Sequence, residues 1–120
     1  MNNVITIAVD AMGGDGSPQK VIKGIQDHHK KSKNIFYRIF GDENEILKFI
    51  PKNLDPNCFE INHTEEKVIG TDSPLGAAKR GKKTSMWLSI ESVKEKKSDI
   101  VISAGNTGAL LVIAKLNLKM

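Results

Sequence analysis

The segment Ile100-Val-Ile-Ser-Ala-Gly-Asn-Thr-Gly-Ala-Leu-Leu111 decides the fold that this sequence predicts. Its first three residues are β-branched and apolar, which is typical of a short buried strand. Two glycines and several hydrogen-bonding side chains follow, and apolar residues then recur at helical spacing from Thr107 onward. A strand, a glycine-rich turn and a helix bring free backbone N–H groups and the positive end of a helix dipole to one point. Such a point suits an oxyanion, most often a phosphate.

A second turn of the same kind follows the first predicted strand, at residues 4–9. The turn reads Asp10-Ala-Met-Gly-Gly-Asp-Gly-Ser-Pro18. Ser17 followed by Pro18 predicts the N-cap and the first residue of a helix, because serine accepts a backbone N–H and proline has none to leave unpaired. For both turns the alternative is a tight bend that binds no ligand.

The rest of the chain alternates between predicted strands and predicted helices. Strands are expected at residues 35–40 and 59–62, and Asp42 is expected to cap a short helix that ends before Pro51. The buried face of a later helix is predicted to consist of Trp87, Leu88, Ile90 and Val93. This alternation predicts a parallel sheet covered on both faces, with the loops that follow the strands at one edge. Both glycine-rich turns are therefore expected to face one cleft.

Composition limits the classes of function. The 120 residues are 39% hydrophobic and 27% charged, which predicts one ordinary globular domain. The net charge of +4 is mild and the few aromatic residues are scattered, so the partner is expected to be an acidic small molecule or protein and not a nucleic acid. The single cysteine, Cys58, is predicted to be a passive half-buried thiol. Residues 1–12 resemble neither a signal peptide nor a membrane span, which favours a cytoplasmic location.

Several kinds of active site are poorly supported. The sequence Gly14-x-Gly16 begins a dinucleotide motif, but Gln19 stands at its third glycine and Asp15 would repel a pyrophosphate. There is no Gly-x-Ser-x-Gly nucleophile motif and no His/Cys cluster for a metal. Amides, small hydroxyls and nearby cations remain. These groups suit a phosphate that is itself the nucleophile, or a developing oxyanion.

Three blocks of the sequence resemble the PlsX-type phosphate acyltransferases. They are Val9-Asp-Ala-Met-Gly-Gly-Asp-Gly-Ser-Pro18, then Pro74 and Ala77 leading to Thr84-Ser-Met86, and then Ser103-Ala-Gly-Asn-Thr-Gly-Ala-Leu110. The resemblance implies a three-layer α/β/α fold with a mostly parallel sheet, similar to isopropylmalate dehydrogenase. It also implies that residues 1–120 form the N-terminal part of a single domain that is incomplete in this chain.

The resemblance also implies a function. Such enzymes reversibly transfer a fatty acyl group from acyl carrier protein to inorganic phosphate, and the acyl phosphate serves phospholipid synthesis. The resemblance implies a homodimer that contains no metal or other cofactor. It also implies a cytoplasmic location with peripheral membrane association, where the membrane glycerol-3-phosphate acyltransferase takes up the product. No catalytic acid or base is identified. The candidate phosphate-binding residues are Gly13, Gly14, Asp15, Gly16, Ser17, Lys82, Lys83, Thr84, Ser85, Ser103, Gly105, Asn106, Thr107 and Gly108.

Two other classes of function stay open at this point. One is a non-catalytic module that binds a phosphate-bearing ligand or the carrier protein. The other is a nucleotide-dependent oxidoreductase domain. An incomplete sheet also predicts an unpaired apolar edge strand, so we expect the 120 residues on their own to be poorly soluble or inactive.

Overall fold

The computed structural model describes residues 4–68, 73, 75–76, 83–103 and 110–114. Within these residues, four strands form one sheet in the order β3-β2-β1-β4, and every neighbouring pair is parallel. The strands are β1 (Ile5–Asp10), β2 (Ile35–Gly41), β3 (Phe59–His63) and β4 (Ile100–Ser103). The prediction of a parallel α/β sheet is confirmed, and each predicted strand lies within a residue or so of the observed one.

Helices connect the strands. They are α1 (Gln19–Lys31), α2 (Glu43–Leu47) and α3 (Ser85–Lys94), with a short 3₁₀ helix at Pro56–Cys58 and a helical stretch at residues 110–114. Asp42 caps α2 as predicted, because its Oδ1 accepts the backbone N–H groups of Asn44 and Glu45 at 3.0 and 3.4 Å. The last turn of α1 is basic, which suits the negative end of the helix dipole.

The sheet has a hydrophobic core on each face, because successive residues of a strand point to opposite sides. On one face Ile7 and Ile39 pack with Ile22 of α1 and Ile46 of α2. On the other face α3 packs over the sheet, and its core cluster is Val68, Met86, Trp87, Ile90 and Ile113. The fold therefore has three layers, with the sheet between two layers of helices.

The start of α1 differs from the prediction. The N-cap is Pro18, with no side-chain hydrogen bond to the helix, and the Ser17 hydroxyl donates to the Gly13 carbonyl. The prediction of Ser17 as N-cap is therefore wrong. The physical reason is the turn itself: Gly14 and Gly16 have φ of +86° and +79°, a backbone path that folds Ser17 back over Gly13.

The buried face of α3 also differs from the prediction. Leu88 and Val93 are only half-buried, whereas Ser85, Ser89 and Ser92 are buried. The spacing of apolar residues alone could not show this, because small serines let the helix approach the sheet closely. Their hydroxyls stay paired, as when Ser89 Oγ donates to the Ser85 carbonyl at 2.6 Å.

The last strand of the described sheet has an uncovered side. Ile100 and Ile102 are 49% and 51% exposed and lie on the face that carries α1. Within the described residues β4 pairs only with β1. This exposed apolar strand matches the edge expected from the sequence, and the poor solubility derived from it stays a prediction.

Candidate functional site

The carboxyl ends of the four strands lie at one edge of the sheet. β1 ends at Asp10, which pairs in register with Ser103 at the end of β4. Because β1 and β4 are adjacent and parallel, both strands end at the same edge, and each is followed in the sequence by a glycine-rich segment. Among the candidates of the second turn only Ser103 is described, and Gly105, Asn106, Thr107 and Gly108 lie outside the described residues.

Asp10 joins three parts of this edge. Its side chain is 1% exposed and accepts three hydrogen bonds. Oδ1 accepts the Ser85 hydroxyl at 2.5 Å and the Met12 backbone N–H at 3.1 Å, and Oδ2 accepts the Ser103 hydroxyl at 2.9 Å. These contacts tie the end of β1 to the start of α3 and the end of β4. The predicted site residues did not include Asp10, although an aspartate directly after a buried strand is a signal that could have identified it.

The start of α3 is held by hydroxyl groups. Thr84 is the N-cap, and its Oγ1 accepts the Trp87 N–H at 3.2 Å. The Ser85 N–H donates to the Glu66 carbonyl at 2.9 Å, so this amide is already paired. Thr84 and Ser85 are 0% exposed. Their hydroxyls thus serve the helix cap and Asp10 in this structure, and a contact with phosphate stays a prediction for both.

The turn after β1 is open to solvent. Gly14, Asp15 and Gly16 are exposed, whereas Gly13 is buried. Among the described residues, the N–H groups of Gly14, Asp15 and Gly16 donate no hydrogen bond within the protein. Unpaired amides in a turn with alternating backbone handedness can bind an anion. Phosphate binding by this turn stays a prediction, which the exposed amides favour and the exposed Asp15 carboxylate opposes.

Lys20 is a cation that the sequence reasoning missed. A Cβ built on Gly16 would lie 2.8 Å from the Lys20 side chain, so the lysine stem lies across the turn. The signal was the spacing, because residue 20 lies one helical turn after Gly16 and its N–H donates to the Gly16 carbonyl at 3.0 Å. The predicted cations differ: Lys83 is exposed beside α3, and Lys82 lies outside the described residues.

An apolar groove of about 560 Å³ begins at this turn. It runs between α1 and the uncovered face of β4, with Gly14, Asp15 and Lys20 among the residues that line it. Its apolar lining includes Ile7, Val9, Val21, Ile25, Ile100 and Ile102. The groove thus has a polar end at the glycine-rich turn and an apolar body along the sheet.

Tyr37 and His28 also line this groove. The Tyr37 hydroxyl and His28 Nδ1 are 2.6 Å apart. Burial raises the pKa of Tyr37 to about 12, with a smaller contribution from Cys58. The tyrosine is therefore a neutral hydroxyl in the physiological range and adds no charge of its own to the groove.

Cys58 fits the passive role predicted for it. The thiol is buried in the core beneath α1. Burial raises its pKa, and Asp55 raises it further, so the reactive thiolate is suppressed. Within residues that the structure describes, no group of three or more His, Cys, Asp or Glu side chains could hold a metal ion. In that same part of the chain, no helix is both long and apolar enough to cross a bilayer.

Replacing Thr84 by valine tests the cap of α3. Valine keeps the buried volume but removes the oxygen that accepts the Trp87 N–H, so we expect unfolding free energy to fall by about 1–2 kcal/mol. The measurement is a urea titration followed by circular dichroism. Thr6→Val is the matched control, because the Thr6 hydroxyl makes no hydrogen bond among the described residues. Equal losses in the two variants would contradict the capping role.

A parallel sheet flanked by helices defines an α/β fold, and the carboxyl edge of such a sheet is where proteins of this class bind their ligands. Comparison with known families gives the particular group. The family model described as fatty acid synthesis protein matches residues 5–120, and the chain belongs to this family.

Curated relatives agree with the predicted resemblance, which is confirmed. A phosphate acyltransferase of Pelagibacter ubique (strain HTCC1062) is 67% identical over 120 residues, covering all of this chain and 36% of that protein. One from Paramagnetospirillum magneticum is 37% identical over 122 residues, covering 34% of that protein. One from Streptococcus thermophilus (strain ATCC BAA-491 / LMD-9) is 46% identical over 105 residues, covering 88% of this chain and 30% of that protein. The chain therefore spans about a third of the length of these relatives.

Proposed function

We propose that this chain serves the transfer of a fatty acyl group from acyl carrier protein to inorganic phosphate, with acyl phosphate as the product for phospholipid synthesis. One observation carries the proposal: the neighbouring parallel strands β1 and β4 end at the same sheet edge, and each is followed in the sequence by a glycine-rich segment. The chain's relatives are named phosphate acyltransferase, which gives this edge its chemical context.

Phosphate binding is assigned to both glycine-rich segments, and the groups of the one after β1 are among the described residues. The exposed N–H groups of Gly14, Asp15 and Gly16 are unpaired among the described residues and are available to phosphate oxygens. Lys20 lies across the same turn and supplies positive charge, which offsets the repulsion from Asp15. Backbone amides and a lysine together are a common combination for holding phosphate.

The acyl group is assigned to the apolar groove. The groove begins at the proposed phosphate site and continues along Val21, Ile25 and Ile102, so an acyl chain lying there would place its carbonyl carbon near the phosphate. Holding both reactants in this way lowers the entropic cost of their reaction. A phosphate oxygen then forms a bond to the thioester carbon, the C–S bond breaks, and the carrier protein leaves as its thiol.

The remaining parts of the proposal come from the family resemblance. They are a homodimer, no bound cofactor, a cytoplasmic location with peripheral membrane association, and delivery of the product to the membrane glycerol-3-phosphate acyltransferase. Because the chain spans about a third of its relatives' length, each of these needs its own test.

The test starts from acyl carrier protein that carries a radiolabelled acyl group and measures the acyl phosphate formed with inorganic phosphate. The product is trapped with hydroxylamine in the presence and absence of phosphate, because hydroxylamine also attacks thioesters. The test is run on the chain itself and on a chimera. In the chimera these 120 residues replace the matching segment of the Pelagibacter ubique phosphate acyltransferase, to which they are 67% identical. We expect phosphate-dependent product from the chimera, at a rate within about tenfold of its parent.

Two results would count against this function. A folded chimera that makes no acyl phosphate, while its parent does, would overturn the proposal. Saturable binding of phosphate or carrier protein without turnover by either protein would favour the non-catalytic module instead. Turnover by the chimera alone would assign the activity to the longer protein and match the expectation that the isolated chain is impaired.

A further inference from the structure

We propose that Gly24 determines the length of the acyl chain that the groove beside α1 accepts. This inference rests on the proposed function, because it takes the groove as the site of the acyl chain. The missing side chain of Gly24 lets an acyl chain pass from the glycine-rich turn to the end of the groove at His28. A larger side chain at position 24 would exclude long acyl chains and still admit short ones.

The groove follows one stripe of α1. Lys20, Gly24 and His28 all line it, and residues four apart in a helix lie on the same face. Lys20 lies across the glycine-rich turn, so it marks the end of the groove that is proposed for phosphate. His28 lies ~12 Å further along the helix axis, and Gly24 therefore lies midway, ~6 Å from each.

The sheet gives the groove the same direction. Val9 and Ile102 pair in register and line the groove near the carboxyl edge of the sheet. Ile7 lies two residues earlier in β1, and Tyr37 is its register partner in β2. The Tyr37 hydroxyl lies 2.6 Å from His28 Nδ1, so helix and sheet are joined at this pair. The groove therefore extends from the glycine-rich turn to the His28–Tyr37 pair.

The described part of the fold gives no other reason for a glycine at position 24. Gly24 is helical and lies in the middle of α1, where glycine is less stable than alanine. A Cβ built on Gly24 would meet no described atom within 4 Å, whereas one on Gly41 would lie 2.7 Å from Met12. The space in front of Gly24 is thus open, and a side chain there would enter the groove.

The position of Gly24 translates into a chain length. Carbon–carbon bonds of about 1.5 Å advance an extended chain by roughly 1.3 Å each, so a chain that starts level with Lys20 passes Gly24 after about five carbons. A butanoyl group ends before Gly24. A decanoyl group passes Gly24 and extends along Ile25 toward His28, where it contacts the apolar lining of the groove.

The test measures kcat/KM for butanoyl and decanoyl thioesters of acyl carrier protein, in the chain and in the chimera described above. Gly24→Phe is expected to lower the value for the decanoyl substrate by about 100-fold, because the acyl chain loses its apolar contacts beyond position 24. The value for the butanoyl substrate should stay within about threefold of the wild type. The ratio of the two values is the readout, because damage to the fold would lower both together.

Two further variants are the controls. Lys30 is exposed on α1 and is not among the described residues that line the groove, so Lys30→Phe should leave the ratio unchanged. Gly24→Ala should raise the urea midpoint, because alanine favours a helix interior, and should lower the ratio less than Gly24→Phe does. If Gly24→Phe fails to fold, Gly24→Ala and Gly24→Leu decide the question through the same ratio.

The outcomes distinguish this inference from the proposed function. Wild-type turnover with an unchanged ratio in Gly24→Phe would overturn the inference alone. An equal fall for both substrates would overturn it too, because Gly24 would then be needed for packing and not for the acyl chain. A wild type that accepts butanoyl but not decanoyl would also contradict it. No acyl phosphate from the wild-type chain or the chimera would overturn the proposed function, and this inference with it.

Discussion

Replacing Asp10 by alanine is expected to lower the free energy of unfolding by about 3 kcal/mol. The carboxylate is buried and accepts hydrogen bonds from Ser85, Ser103 and the Met12 N–H. Hydrogen bonds to a charged group contribute about 1.5–3 kcal/mol each, and they are not additive when they share one acceptor. The larger part of the loss comes from the Ser85 hydroxyl, which stays buried without an acceptor. A urea titration of the chain, followed by circular dichroism, measures the change.

Asp99→Ala is the matched control for this prediction. The Asp99 carboxylate accepts one hydrogen bond, from the Thr6 N–H, and it is exposed, so water can replace it. A loss below about 1 kcal/mol is expected there. If the Asp10 variant were no less stable than the Asp99 variant, the carboxylate would not be the group that joins β1, α3 and β4.

The second large effect is expected for Ile39→Ala, with a loss of about 3–4 kcal/mol. Ile39 is 0% exposed in β2, and its neighbours in register are Val9 of β1 and Ile61 of β3. Truncation leaves a cavity in the middle of the sheet, where the surrounding backbone can relax little. The measurement is again the unfolding free energy in urea.

Ile102→Ala makes the same chemical change at an exposed strand position. Ile102 is 51% exposed on the uncovered face of β4, so its loss is expected to cost less than about 1 kcal/mol. A loss at Ile39 as small as the one expected at Ile102 would mean that the core beneath α1 does not stabilise the sheet. A loss at Ile102 matching that at Ile39 would also show that something covers the β4 face in solution.

The strands could be predicted from the sequence because buried parallel strands are continuous apolar runs. Residues 35–40 were predicted and Ile35–Gly41 is observed, since the run is apolar on both sides of Arg38, whose guanidinium pairs with Glu60 of the neighbouring strand. The cap of α2 by Asp42 could also be predicted, because its partners Asn44 and Glu45 are close in the sequence. The prediction that Ser17 is the N-cap of α1 is wrong, because the Ser17 hydroxyl donates to the Gly13 carbonyl instead. That hydrogen bond depends on the path of the turn, which the identity of the residue does not reveal.

The site was less predictable because its contacts are not local. Asp10 meets Ser85 and Ser103 across 75 and 93 positions of sequence, and no periodicity records such a contact. Gly14 and Gly16 could be predicted as part of a turn, because glycines that follow a strand indicate a turn directly. Lys20 was not predicted, because in the sequence it resembles any exposed helix residue. Its position across the turn depends on the contact between its side chain and Gly16, which only the structure shows.

The central claim is that the two glycine-rich turns at one sheet edge bind a single phosphate. An amide NMR titration of the chain with inorganic phosphate tests it, with chloride at equal ionic strength as the control. The amide signals of Gly14, Asp15 and Gly16 and that of Ser103 should shift together and fit one dissociation constant. Shifts confined to one turn, separate dissociation constants for the two turns, or shifts centred on Asp99 at the opposite edge would contradict the claim.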